Sequence, residues 1–525
     1  MGGKNMKLKK LVSLLMVAGM SVGLLAGCGS SSEEDVIGSA SADEEYSDEV
    51  TDIEFYVMTL YDDDGVEEVE DAINAITEEE IGVHVNITMM DMTTYTEQIS
   101  LMFSSGETID LMLTTPMEAA GFSSLVSQGQ LQPMNDLLEE YAPETLELME
   151  DYLPGTTIDD EIYAVTTYRT LNSDCYVVMR EDILEDLGLV EAAEEMDSWS
   201  DYEEILQAVV DSDYDNGAVT TALGNNNASG TVISVEYAMV GEENWEDCYG
   251  YDSLGDTYKI IAVDEETDTV YDYFESEEYY NMLVRMTDMY NAGYIYKDAA
   301  TAEDSSSTLL ANDVAFSIVV NSETGVEASY ESSTGYPIVA TQITTEPLST
   351  GSATKFAWAI PTTAEEPEAA AKFLNLMYTN EEIENLLVWG IEGRDYELND
   401  EGEAVVLDTQ EYQSSDFIYG NQFLAYPAEG QGGDFRETSE EALAEAEISP
   451  YFGCTVDTSD VSNELTAVYN VIQEYMPGYE SGSVSVPDTY EEYYNGDFCQ
   501  ALRDAGVDTV LECYQTQLDE FLAAE

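Results

Sequence analysis

Three short stretches early in the chain set its architecture. Ile53, Phe55 and Val57 alternate with more polar neighbours, as a half-buried strand requires. After the turn Tyr61-Asp62-Asp63-Asp64-Gly65, the apolar residues Val66, Val69, Ile73 and Ile76 recur at helical spacing, and then Val83, Val85 and Ile87 alternate again. Strand, helix and strand in this order are the signature of a crossover between parallel strands, with the helix packed on the sheet. A second helical run from Tyr95 to Phe103 stops at Ser104-Ser105-Gly106, and Ile109 to Thr114 reads as a third strand. The expected class is therefore α/β.

Later stretches extend the pattern. Ile162 to Thr166 and Cys175 to Met179 read as strands, Arg180 to Gly188 as a helix closed by its glycine, and Val314 to Val320 as a buried strand. After Phe356-Ala-Trp-Ala-Ile-Pro361, Pro367 opens a helix with Ala370, Phe373, Leu374 and Met377 on one stripe, and Thr379-Asn-Glu-Glu382 reads as a capping box for the next helix, Glu381 to Trp389. The tyrosine pairs Tyr279-Tyr280 and Tyr493-Tyr494 read as helix surfaces carrying amphipathic rings. Beyond residue 50 about 475 residues remain, more than one core supports, so at least two lobes are expected.

The N-terminal segment has a different character. Lys4, Lys7, Lys9 and Lys10 precede an apolar run from Leu11 to Ala26 that Gly19 and Gly23 interrupt, which reads as an export signal rather than a membrane span. Met6, directly before Lys7-Leu-Lys-Lys10, is an alternative start. The run ends in Leu25-Ala26-Gly27-Cys28, which resembles a bacterial lipobox and implies a signal peptide over 1–27, lipidation of Cys28 and a tether on the outer face of a cell membrane. Residues 29–50 carry Ser, Gly and carboxylates with almost nothing to bury, as a solvated tether does.

Charge narrows the partners. The chain has 111 Asp and Glu against 14 Lys and Arg, a formal charge of −97, and removal of the signal's four lysines leaves −101. Phosphate backbones need basic patches, so nucleic acid is excluded. Cys175, Cys248, Cys454, Cys499 and Cys513 form an odd set without CxxC or zinc-like spacing, with Cys499 and Cys513 one conceivable pair.

No catalytic constellation stands out. His84, the one histidine, lies in a strand out of phase with Val83, Val85 and Ile87, and no GxSxG turn is present. Among so many carboxylates any spacing occurs, so a glycosidase pair carries no signal. Asp211-Ser-Asp-Tyr-Asp-Asn-Gly217 starts like a calcium loop, but its glycine comes one place late and Ala222 stands where a bidentate Glu belongs. Neither metal nor cofactor is expected.

Residues 95–114 (YTEQISLMFSSGETIDLMLT), Ile162 to Thr166 followed by VVMREDILEDLGL (177–189), and 356–396 (FAWAIPTTAEEPEAAAKFLNLMYTNEEIENLLVWGIEGRDY) resemble the extracellular solute-binding proteins of bacterial ABC importers, of the family 1 or oligosaccharide-binding type. The GIEGRDY segment and AGVDTVLECYQTQLDEF (505–521) are similar to a Gram-positive lipoprotein subgroup with an extra, uncharacterised C-terminal domain. The resemblance implies a two-lobed, periplasmic-binding-protein-like (Venus flytrap) fold with a mainly parallel sheet in each lobe. By analogy, lobe one takes 50–165 and 350–395, and lobe two takes 166–349 and 396–525, C-terminal extension included. It further implies a receptor, monomeric and without chemistry of its own, that closes on an oligosaccharide and delivers it to a membrane permease.

Ligands of doubly wound sheets sit beyond the carboxyl ends of the strands, which points to Tyr61, Asp62, Thr115, Tyr168 and Arg169. Sugar faces stack on aromatics, so Trp245, in a polar loop, and Trp358, at the return into lobe one, are candidates, with ordinary packing as the alternative for each. Trp199 reads as a capping and packing residue. In Asn385-Leu-Leu-Val-Trp-Gly-Ile-Glu-Gly-Arg-Asp-Tyr396, Gly390 and Gly393 allow tight bends that display Glu392 and Arg394; the guanidinium either holds an internal carboxylate, the favoured reading, or reaches a ligand. Competing functions are a cation, polyamine or peptide receptor, and a surface glycoside hydrolase or adhesin.

Overall fold

Phe55, with no exposed surface, stacks on Trp358 at a centroid distance of 4.8 Å and meets Phe373 edge-on, and the first of two sheets is assembled around this cluster. The computed structural model describes residues 50–61, 65–116, 120–171, 174–212, 221–224, 243–248, 251–256, 258–302, 304–322, 325–345 and 347–524. Cys28 with its lipobox, the tether up to residue 49, Asp62 and most of the calcium-like loop lie outside the described residues.

The strands of the two larger sheets are β1 (Thr51–Thr59), β2 (Val83–Asp91), β3 (Leu111–Thr114), β4 (Val165–Thr166), β5 (Asp174–Arg180), β6 (Thr221–Leu223), β7 (Ala315–Ser322), β8 (Ile338–Thr345) and β9 (Ala357–Ala359). The first sheet has the order β2-β1-β3-β9-β4. β1 runs parallel to β2 and β3, as the periodicity requires, whereas β9 is antiparallel to both β3 and β4. The helix Val66–Glu80 buries Val69 and Ile73 and presents Asn74, whose side-chain amide exchanges hydrogen bonds of 2.7 and 3.0 Å with both backbone groups of Val85. That pairing docks the helix and masks part of the open edge of β2. Asp110, buried, accepts from the backbone N–H groups of Glu54, Glu365 and Glu366, and so seats the start of the helix Pro367–Thr379 against the sheet.

The second sheet, β8-β5-β7-β6, departs from the mainly parallel expectation. β5 is antiparallel to both β7 and β8, and only β7 and β6 run parallel. One face carries Cys175, Val177 and Met179 into a large core, and the other buries Val178, Ile318, Val320 and Ile338 in a small one. The C-terminal helices Ser462–Glu480, Asp497–Ala505 and Val507–Ala524 complete the large core with Val468, Ile472, Phe498, Leu502 and Leu518. Tyr279, Tyr280 and Tyr493 are buried here, against the surface reading; their hydroxyls find acceptors in Glu480, the Pro487 carbonyl and the Phe274 carbonyl. Tyr494 is exposed, as expected.

A further difference concerns the region after residue 396, expected in the second lobe. Tyr412, Ile418, Tyr419, Ala425 and Leu443 pack into the core of the first sheet. The backbone of residues 420–422 is laid beside Tyr168: Tyr168 N–H donates to the Gly420 carbonyl (2.8 Å) and Gln422 N–H to the Tyr168 carbonyl (2.9 Å). Gly420 also lies hard against the helix Pro367–Thr379, where a Cβ would overlap the Met377 carbonyl. At the helix Glu381–Trp389 the cap is Asn380 alone, its Oδ1 accepting from Glu382 and Ile383 N–H, while Thr379 donates back to the Asn375 carbonyl instead of forming a capping box.

Candidate functional site

A cavity of about 710 Å³ is walled by residues that belong to both cores. From the first come Thr115 and Pro116 after β3, Phe122 to Ser124, and Arg169 and Leu171 after β4; from the second come the loop Ser253 to Lys259 and the C-terminal residues Thr455, Ser462 and Tyr514. The helix Thr350–Thr354, on the chain's return from β8 to β9, lines it too. Gly255 and Gly351 meet there: a Cβ on Gly351 would stand 3.5 Å from the Gly255 Cα, so the loop of one core abuts the connecting helix without intervening side chains. Its volume falls within the roughly 300–1,000 Å³ typical of small-ligand clefts.

Thr115 and Arg169 line this cavity, at the carboxyl ends of β3 and β4. Arg169 is buried and held in place: Nε donates to Thr167 Oγ1, Nη1 to the Thr170 carbonyl and Nη2 to the Ser352 carbonyl, with the guanidinium 5.7 Å from the Phe356 ring centre. Hydroxyls dominate the rest of the wall, including Ser123, Ser253, Ser322, Thr350 and Thr458. Among the described aromatic lining residues Phe122 and Tyr514 are buried, whereas Tyr258, its ring centre 4.6 Å from that of Tyr469, is only partly buried. Burial pushes the Cys454 thiol in the same wall up to about 12, so it stays protonated near neutrality.

The other candidates are elsewhere. Trp358 is fully buried in its stack with Phe55, and Trp245 is 3 % exposed in an edge-to-face contact with Trp199, so both occupy packing positions. Tyr168 is buried between Tyr152 and Phe423 with its hydroxyl on Glu440. Tyr61 and Glu392 are exposed and are not among the described lining residues. His84 bonds Glu78 at the surface.

Arg394 takes the internal role. Its Nε and Nη2 clasp the Asp395 carboxylate, Nη2 also reaches the Gly65 carbonyl, and Nη1 pairs with Glu68, which ties the bend at 390–394 to the start of the helix Val66–Glu80. Asp395 also accepts from the backbone N–H groups of Ile391, Glu411 and Tyr412. Burial alone would raise its pKa; the guanidinium and the N–H groups outweigh that and hold it below the usual carboxylate range.

Comparison with known proteins fits this geometry. Residues 71–390 match the family described as bacterial extracellular solute-binding protein. The chain belongs to that family. Residues 450–523 match a domain of unknown function, DUF3502. A carbohydrate ABC transporter substrate-binding protein of Streptococcus pneumoniae is 25% identical over 473 residues, covering 87% of this chain and 89% of that protein. Among solved structures, the fold is shared with the N-glycan transport solute-binding protein NgtS of Streptococcus pneumoniae (TM-score 0.74, 21% identity, 90% of this chain and 99% of that one). It is shared also with an HMO-binding, ABC-transporter-associated solute-binding protein of Bifidobacterium longum infantis (TM-score 0.65, 15% identity, 90% and 99%). The two-lobed α/β solute-binding fold expected from the sequence is thus shown.

The residues that sequence reasoning missed are those of the 253–259 loop and the C-terminal wall. Tyr258 follows no periodic segment, and nothing in AGVDTVLECYQTQLDEF marks Tyr514 as facing a cavity that begins more than 250 residues upstream.

Proposed function

We propose that this protein is the lipid-anchored receptor of an ABC importer, working as a single copy, which holds an oligosaccharide in the cavity between its two cores and delivers it to a membrane permease. The observation that carries the reading is the cavity's construction from both cores, since lobes that share one wall can grip and release a solute by hinge motion. Thr115 and Arg169 contact the solute, with Tyr258 as its stacking surface. Anchoring rests on Leu25-Ala26-Gly27-Cys28, with acyl chains on Cys28 mooring the protein outside the cell.

In this reading lobe one takes 50–171, 348–395 and the segment to about 443, and lobe two takes 174–345 and about 450–524; the division of buried residues between the two cores supports these extents. A polyamine receptor would surround its ligand with carboxylates, and a glycosidase would present two; the described wall offers neither.

Thermal unfolding of the purified ectodomain against panels of oligosaccharides, oligopeptides and polyamines tests the proposal. A cognate glycan at 100 times its dissociation constant stabilises by about 2.7 kcal/mol, and Tyr258→Ala weakens that effect. Stabilisation by polyamines or peptides alone, or release of product from any glycan, refutes it.

A further inference from the structure

A second hollow of about 340 Å³ adjoins the solute cavity, and Asn321 and Ser322, at the end of β7, line both. It too takes walls from either side. Gly325 and Ser329, at and within the helix Val326–Thr334, face the segment from Asp416 to Arg436 that packs into the core of the first sheet. A Cβ on Gly325, whose φ is +82°, would stand 2.5 Å from the Phe435 ring, so this ring lies directly on the backbone opposite.

The hollow combines donors with acceptors. Asp416 accepts from Arg436 Nη2 at 2.7 Å, and Arg436 Nε is held on the Ala425 carbonyl at 3.2 Å. Two carboxamides are fixed through their oxygens: Gln422 Oε1 accepts from Thr170 N–H at 3.4 Å, and Gln431 Oε1 from Ala428 N–H at 2.7 Å. Neither Nε2 donates a hydrogen bond within the described residues, although Gln422 is only 5 % exposed. A desolvated amide donor without an acceptor is costly, and a polar occupant of the hollow meets that need. Ser322 and Ser329 add hydroxyls that donate and accept.

Resting on the receptor reading, we propose that this hollow is a second subsite for the same solute: one further neutral sugar unit is held by Gln422, Gln431 and the Asp416–Arg436 pair while the rest of the chain fills the larger cavity. A sugar hydroxyl gives one hydrogen bond and accepts others, so it uses amide nitrogen, guanidinium and carboxylate together. The protein thereby selects for chain length, because a solute that ends at Ser322 leaves both amides to water.

Calorimetric titration of the full ectodomain with homologous ladders tests the inference, using manno-, chito-, galacto- and malto-oligosaccharides, each from disaccharide to hexasaccharide. Within a ladder that binds, one added unit tightens binding roughly tenfold, the ~1.4 kcal/mol that one or two net hydrogen bonds supply, and units beyond it add little. Ser329→Trp, at an exposed position, fills the hollow with an indole, and Gln431→Ala removes a donor; each collapses that step. Affinity independent of length in every ladder that binds, or a step that both variants retain, overturns the subsite and leaves the receptor standing. Absence of binding by every ladder overturns both.

Discussion

The two cores are built by different logics. The core of the first sheet starts from neighbours in sequence: β1, the helix Val66–Glu80, β2 and β3 follow one another, and their apolar faces meet with little chain between them. The core of the second sheet joins β5 and β7 to helices that begin more than 100 residues later, so Met179 and Phe316 share an interior with Phe498, Leu502 and Leu518. Local periodicity specifies the first kind of core directly, whereas the second is closed by partners that no window of sequence contains.

Substitutions can break or sharpen that contrast, beginning with the strongest. Phe498→Ala removes a fully buried ring from the second core and costs about 3–5 kcal/mol. Hydrogen exchange followed by peptide should show protection lost across 175–343 and 450–520 but kept in β1 to β3; equal loss in both regions would show that the cores unfold as one. Asp395→Ala acts on the first core instead. It strips the acceptor from three backbone N–H groups and from Arg394, a loss of roughly 3 kcal/mol or more for a broken buried charge pair. Denaturant titration should record it, with protection lost first at 390–412.

Glu384 adds a pH dependence confined to the first core. Burial raises its carboxyl from 4.5 to about 8, partly offset by the backbone of Asn421 and Gly420. Between those values the folded state holds a proton that the unfolded state releases, so stability falls as pH rises from about 4.5 to about 8, by up to ~1.4 kcal/mol per pH unit. Glu384→Gln should therefore flatten this slope and raise the melting temperature at pH 8 more than at pH 5. A variant that melts lower at pH 8 would show Glu384 to be ionised and paired. The mildest change is Asn380→Ala, which removes the cap on the helix Glu381–Trp389 and costs about 1 kcal/mol, measurable by thermal melting.

The same contrast explains what could be read from the sequence. Thr51 to Thr114 was legible because strand and helix periods alternate there with few interruptions, and so were the helix Pro367–Thr379 with its buried stripe and the internal role of Arg394. The antiparallel course of β5 against its neighbours was not, since strand direction depends on where β7 and β8 arrive and leaves no trace in either strand's own residues. Segment 396–443 was misplaced for a similar reason: its attachment runs through backbone groups at 420–422, which every sequence possesses. At the cavity, Thr115 and Arg169 could be found from strand ends, but Trp245 and Trp358 were drawn into packing, where indole surface is large and apolar contact is plentiful.

Thr455, Ser462 and Tyr514, which close one side of the cavity, stand more than 300 residues after Thr115 on the other. A chain cut before Thr455 retains every strand of the first sheet but has an open flank where the enclosure should be. Enclosure of that space is thus a property of the whole fold, since it joins strand ends from the opening of the chain to helices hundreds of residues away.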